Sequence, residues 1–396
     1  MSPLVTGQCI FGASSGKQYV IRTHLTYTNY CVLSIHPLAK CTLVFPGWKM
    51  SAPQSAQIKP RLGKGDHAPV FSCPDSDGEL FDFYVAVTGK PIVFIFCGDT
   101  DLKDLSGAAL GEALDEDKVQ VATFCNGDSQ QVQTLKNAAD WPFRTMADDD
   151  GDITSGFATY SGVPTPAIYV LDPNQRIVGI TNISEAGAHL GAWLESNIRE
   201  ATYSDAPTSV SHTVPVLTVP RVLEPEDCEW LIGLWRDGEK HTGQVSLGSQ
   251  SKKRDGVVKD QKRREDYVVK DPEIEQRILD RVMPRLVPEL KKVLHFHRWE
   301  MEALRVGCYK AADSGFFNIH RDNCNPSVAK RKYAITINLN TGDYEGGTLR
   351  FPEYGNELFA PPTGGAVVFS CSMLHEVLPV TAGERFTLLT FLKQPG

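Results

Sequence analysis

The stretch Tyr309-Lys310-Ala311-Ala312-Asp313-Ser314-Gly315-Phe316-Phe317-Asn318-Ile319-His320-Arg321-Asp322, completed further on by His375 and Arg385, decides how this chain is read. Two imidazoles and one carboxylate can occupy one face of a metal ion and leave three positions open, a donor set suited to non-haem iron. His320-Arg321-Asp322 is the only His-x-Asp among ten histidines, so its weight comes from its setting. It leaves a segment containing Gly315-Phe316-Phe317, and the third candidate ligand, His375, sits at the far end of a strand series.

That series supplies the fold. Strands are expected around Met301 to Tyr309, Tyr333 to Leu339, Gly347 to Phe351, Gly365 to Phe369 and Phe386 to Leu392. In a jelly roll the ends of non-adjacent strands converge inside the barrel, so residues far apart in sequence meet there. Arg385 begins the last strand, where a buried guanidinium can grip a carboxylate with two parallel hydrogen bonds. Two helices precede the strands. Leu223-Glu224-Pro225-Glu226-Asp227 leads into Trp230, Leu231, Leu234 and Trp235, and Asp271-Pro272 opens a helix presenting Ile274, Ile278, Val282 and Leu286 on one face. Pro284 and Pro288 are expected to kink or divide the second. Helices followed by consecutive strands indicate an α+β double-stranded β-helix, or jelly-roll, domain with supporting helices.

Between the helices lie Lys252-Lys253-Arg254, Lys259 and Lys262-Arg263-Arg264-Glu265-Asp266-Tyr267, the most basic part of an acidic chain. A solvated loop and a lid over the site are both compatible with this pattern. His295-Phe296-His297 reads as structural because no third ligand accompanies it.

The chain has 396 residues, 41% of them hydrophobic, enough for two domains. A formal charge of −8 argues against a general nucleic-acid binder, and no apolar run is long enough for a membrane helix. The ten cysteines never form CxxC, which fits reduced thiols in a cytoplasmic protein. Residues 1–49 show no clear period and read as a disordered or spurious extension, with Met50 a candidate start. The expected division is a first domain over 50–200, a small, polar linker over 201–212, and a second domain over 213–396. Oligomeric state is left open.

Upstream, Pro91 to Phe96, Val119 to Phe124, Ala167 to Leu171 and Arg176 to Ile180 read as strands, alternating with helical stretches near Leu102–Leu110, Ser129–Ala139 and Ala188–Leu194. Gly65-Asp66-His67-Ala68-Pro69-Val70-Phe71, Asp148-Asp149-Asp150-Gly151 and Val163-Pro164-Thr165-Pro166 resemble the peroxiredoxin branch of the thioredoxin fold, which implies an α/β domain with Pro164 or Pro166 in cis. In that family a peroxide-attacking cysteine follows a threonine at a helix N-terminus; Lys103 occupies the corresponding place after Thr100. Cys97 and Cys125 end two strands and are either small buried residues or a redox pair.

Residues 213 to 394 resemble the prolyl 4-hydroxylase group of Fe(II)/2-oxoglutarate dioxygenases. The resemblance runs through Cys308-Tyr309, His320-Arg321-Asp322-Asn323, Leu339-Asn340, Gly346-Gly347-Thr348-Leu349-Arg350-Phe351-Pro352, His375-Glu376-Val377 and Gly383-Glu384-Arg385. It implies that His320, Asp322 and His375 hold Fe(2+), that Arg385 binds the distal carboxylate of 2-oxoglutarate, and that Tyr309 lines the same pocket. Asn338 stands where some members have a second tyrosine, with Thr336 or Thr387 as further cosubstrate contacts. The activity implied is hydroxylation of a C–H bond on a protein, peptide or small molecule, consuming O2 and releasing succinate and CO2, with L-ascorbate as a further cofactor. The alternatives are a thiol-dependent peroxidase using Cys97 or Cys125, or a first domain that only docks partners.

Overall fold

The computed structural model describes residues 61–98, 100, 102–105, 110, 114–202, 209–242 and 261–395, and the backbone alone of Gln8–Gly12, Gln18–Arg22 and Thr42–Val44. The candidate start at Met50, most of the 1–49 extension, residues 203–208 of the linker and the Lys252–Lys259 part of the basic stretch lie outside the described residues. The chain divides into two compact units, with a boundary between Ala206 and Pro207.

In the first unit β1 (Val70–Pro74) and β2 (Leu80–Asp82) form a hairpin. β3 (Ile92–Gly98), β4 (Gln120–Asn126), β5 (Arg144–Asp148), β6 (Ala167–Leu171) and β7 (Ile177–Asn182) form a sheet ordered β7-β6-β3-β4-β5. β3, β4 and β5 run parallel, while β6 and β7 are antiparallel additions. Both faces are covered, so β3 reads as a continuous apolar run whose alternate residues enter two cores. Val93, Ile95 and Cys97 join one, and Phe94 and Phe96 join the other with Phe124 and Phe157. The helices α1 (Ser129–Ala139), α2 (Asp152–Ser161) and α3 (Leu190–Ala201) complete a thioredoxin-like arrangement. α1 starts at a capping box in which the Asp128 side chain accepts from Gln131 N and Gln131 returns a bond to the Asp128 backbone. The cis bond is Thr165–Pro166.

In the second unit α4 (Pro225–Asp237) and α5 (Pro272–Leu294) pack their apolar faces on the larger of two sheets. α5 runs unbroken through Pro284 and Pro288, so neither proline divides it. Ile278, Val282, Leu286 and Leu290 are buried along it, and that burial outweighs the hydrogen bonds two prolines remove.

The strands are β8 (Leu217–Val219), β9 (His241–Thr242), β10 (Glu265–Val268), β11 (Glu300–Met301), β12 (Arg305–Lys310), β13 (Phe317–His320), β14 (Arg331–Asn338), β15 (Glu345–Gly346), β16 (Leu349–Arg350), β17 (Leu358–Phe359), β18 (Ala366–Ser370), β19 (His375–Val377), β20 (Val380–Ala382) and β21 (Glu384–Lys393). The larger sheet is ordered β8-β18-β14-β21-β12-β10-β9, with β11 also on β21. The smaller is β13-β19-β16-β17, and β15 pairs with β20. These two facing sheets are the jelly roll. Because side chains alternate along each strand, Arg305, Gly307 and Tyr309 of β12 share one face, as do Arg385, Thr387 and Leu389 of β21.

Candidate active site

His320 and His375 are cross-strand partners on β13 and β19, at one end of the smaller sheet. Asp322 lies just beyond β13, where its backbone N–H donates to Cys371 O at 3.0 Å. The carboxylate reaches both rings, with Oδ1 3.4 Å from His320 Nε2 and Oδ2 3.4 Å from His375 Nε2. One ligand atom from each residue lies within 4.8 Å of the other two. Ligands about 2.1 Å from one ion and at right angles sit about 3 Å apart, so one cation fits this set.

The tautomers agree with that use. His320 Nδ1 is 2.7 Å from Asn318 O and His375 Nδ1 is 3.0 Å from Met373 O, so each Nδ1–H is spent on a carbonyl and each Nε2 lone pair points inward. His320 Nε2 is buried with no hydrogen-bond partner. Phe317 stacks on the His320 ring at a centroid distance of 3.6 Å and fixes its plane. Burial holds the pKa of His375 below the usual imidazole value, favouring the neutral, ligating form. Burial pushes the Asp322 carboxyl up, but the adjacent His320 and His375 imidazoles, with Arg331, outweigh it, so its pKa lies below the usual value. Behind Asp322, Arg331 donates to its backbone oxygen and pairs with both oxygens of Glu302.

These residues open into a cavity of about 670 Å³ also lined by Tyr309, Thr336, Arg385 and Thr387. Arg385 faces Tyr309 across β21 and β12, and its guanidinium carbon is 5.3 Å from the Tyr309 ring centroid. Its Nη2 donates to Asn338 Oδ1 at 2.9 Å, whereas its Nε, like Thr387 Oγ1, is buried without a partner. The unused donors of Arg385 and Thr387 are those a carboxylate would take. Asn338 stands behind Arg385 rather than on the cavity wall, held by Thr341, Tyr344 and Pro361 O. Its contact with the cavity runs through Arg385.

In the described half of the basic stretch, alternate side chains turn to the cavity instead of solvent. Lys262 and Asp266 are 6% and 5% exposed, and Lys262, Arg264 and Asp266 all line the cavity. Arg264 holds Asp266 through two bonds, Nε–Oδ1 at 2.5 Å and Nη2–Oδ2 at 2.9 Å, and donates to Tyr309 OH at 3.1 Å. A Cβ on Gly307, opposite Asp266, would lie 2.8 Å from Arg264 Cδ and 3.0 Å from Asp266 Oδ1, so this pair fills the space a side chain would take. The alternation Lys262-x-Arg264-x-Asp266 was the available sequence signal, because period two places all three on one face.

In the first unit, Cys97 Sγ and Cys125 Sγ are 3.5 Å apart, and both residues are buried. The hydrogen bond shared with Cys125, then burial, raises the Cys97 pKa well above the ordinary thiol value. That opposes the thiolate a peroxidase needs.

Residues 304–393 match the 2OG-Fe(II) oxygenase superfamily, and residues 64–180 match the AhpC/TSA family. A PKHD-type hydroxylase from Synechococcus sp. is 22% identical over 187 residues, covering 45% of this chain and 78% of that protein. A viral collagen prolyl hydroxylase from Paramecium Bursaria Chlorella virus-1 is 18% identical, with a TM-score of 0.34, covering 46% of this chain and 96% of its own. Peroxidoxin BcpB from Mycobacterium tuberculosis is 13% identical, with a TM-score of 0.28, over 36% of this chain and 100% of its own. The family match and the donor set agree that the second unit contains a 2OG-Fe(II) oxygenase domain, which makes the chain an oxidoreductase of the dioxygenase class. The first unit is AhpC/TSA-like with a thioredoxin-like sheet.

Proposed function

We propose that the protein is a prolyl 4-hydroxylase-like enzyme that inserts one oxygen of O2 into a C–H bond of a protein or peptide, converting 2-oxoglutarate to succinate and CO2. The observation that carries this reading is the buried, unpartnered Nε2 of His320 beside Asp322 and His375. In this assignment His320, Asp322 and His375 hold iron(II), which supplies oxygen activation when bound. Arg385 binds the distal carboxylate of 2-oxoglutarate, Asn338 orients Arg385, and Thr387, Thr336 and Tyr309 complete the cosubstrate pocket. The Nδ1–H bonds fix both imidazoles for ligation, and the apolar walls formed by Leu349, Phe369 and Val377 exclude water.

A peptide substrate is supported by the relatives, among which a prolyl hydroxylase from Trichoplax adhaerens is described in complex with a peptide fragment. L-ascorbate serves as reductant in this proposal, and the free cysteines fit a cytoplasmic site. Among the described residues no helix is long and apolar enough to cross a membrane. Residues 213–396 form the catalytic domain, 201–212 the linker, and 50–200 a docking module without peroxidase activity.

A protein substrate incubated with enzyme, Fe(II), 2-oxoglutarate, ascorbate and air should gain the mass of one oxygen atom. Gain of the same mass with His375→Ala would sink the proposal.

A further inference from the structure

The cavity carries more positive charge than its cofactor assignment uses. On the oxygenase reading, Asp322, iron(II), the 2-oxoglutarate dianion and Arg385 together are neutral. That leaves the wall made by β10, the segment leading into it, and β12. There Lys262, Arg264 and Arg305 line the cavity and face a single carboxylate, Asp266. Arg305 is half-buried and makes no ion pair with a carboxylate among the described residues, because the nearby Glu302 is held by both arms of Arg331. With Lys262 protonated, three cations face one anion, an excess of positive charge on this wall within a protein whose net charge is −8.

Buried cations of this kind are costly until an anion meets them or the group gives up its proton. The titration of the groups follows the same crowding. Burial, then the charge of Arg264, pushes the Lys262 ammonium down to about 7, and burial together with Arg264 and Arg331 lowers Arg305. The wall is also placed next to the chemistry. Lys262 bridges backbone to backbone with Phe317, its Nζ lies 5.2 Å from the Phe317 ring centroid, and that ring stacks on His320. Arg264 is fixed by Asp266 and Tyr309, so Lys262 and Arg305 are the two cations with capacity to spare.

We propose that Lys262 and Arg305 bind a carboxylate of the substrate to be hydroxylated, so that the enzyme selects a substrate with an acidic group close to its target carbon. This inference rests on the oxygenase reading and names the substrate class for that site. The carboxylate is that of an acidic side chain beside the hydroxylated residue of a peptide, or that of a free amino acid or other small acid.

The test uses the full chain loaded with Mn(II) and 2-oxoglutarate under argon, and calorimetric titration with three probes. These are the blocked peptide Glu-Pro-Glu, its twin Gln-Pro-Gln, and free glutamate. The Glu peptide should bind about tenfold or more tightly than its twin, the scale of one charge-assisted hydrogen bond. The ratio should fall to about one or two in Arg305→Gln and in Lys262→Met, and should invert in Arg305→Glu. Because each ratio is taken within one variant, a loss of folded protein does not imitate it. Glutamate binding as tightly as the Glu peptide, with the same dependence on Arg305, identifies a small acid as the source of the carboxylate. Equal affinity of the twins in the parent protein, a ratio that survives both Arg305→Gln and Lys262→Met, or no binding of any probe overturns the inference. Failure of the loaded protein to take up Mn(II) and 2-oxoglutarate overturns the oxygenase reading itself, a separate result.

Discussion

Arg385 shows how one side chain is prepared for its ligand. Asn338 takes one donor, the Tyr309 ring stands 5.3 Å from the guanidinium carbon, and the buried Nε is left without a partner. Arg385→Gln should therefore weaken 2-oxoglutarate binding by about ten- to a hundredfold, the loss expected for one to two charge-assisted bonds, with partial recovery in Arg385→Lys; tryptophan-fluorescence titration measures it. His375 contributes a pH response. His375 is held below its usual value of 6.5, so the folded protein takes up this proton less readily than the unfolded chain. The sign follows: acid below about pH 6.5 draws the equilibrium toward the unfolded chain and competes with metal at His375. The gain in Tm on adding Mn(II) should shrink as pH falls from 7 to 5. A constant gain would contradict it.

At the scale of elements, the strands that carry the site were legible where burial on one or both faces left an apolar record. β3, β6 and β21 are such cases, as is the Asp271-Pro272 start of α5. β5 left no such record because Thr145 and Asp148 are fully buried polar residues, Thr145 bonded to Phe143 O and Asp148 capping the start of α2. The sequence left Lys262, Arg264 and Asp266 open between a solvated loop and a lid, since charge usually marks solvent, whereas here they line the cavity. The turn between β12 and β13 offers a sharp test. A Cβ on Gly315 would meet Lys310 N at 2.7 Å and Tyr309 Cα at 2.9 Å, backbone atoms that cannot swing aside. Gly315→Ala should cost about 1–3 kcal/mol by chemical denaturation and weaken metal binding, because the displaced strand carries His320. An unchanged midpoint would show that the turn is not fixed as described.

For the whole molecule, the division of labour follows from where reactive groups lie. The ligand set, Arg385 and the cationic wall belong to the second unit. The first unit has Lys103 at the position of the expected cysteine, and two buried thiols in contact with each other. Cys97 should resist alkylation by iodoacetamide in the native protein and react on unfolding, as mass spectrometry of its peptide would show. Rapid native labelling would restore a redox role to this unit. The proposed metal ligands and Arg385 were legible as candidates in the sequence because several motifs occur in order through 309–385. The cationic wall was not, because its excess charge exists only once the fold places Lys262, Arg264 and Arg305 around one Asp266. The most direct test of the account is succinate formation from 2-oxoglutarate by the full chain with Fe(II) and ascorbate in air. It should proceed in the parent protein and fall at least a hundredfold in both His320→Ala and Asp322→Ala, whereas undiminished succinate formation in either variant would contradict the assignment of the metal centre.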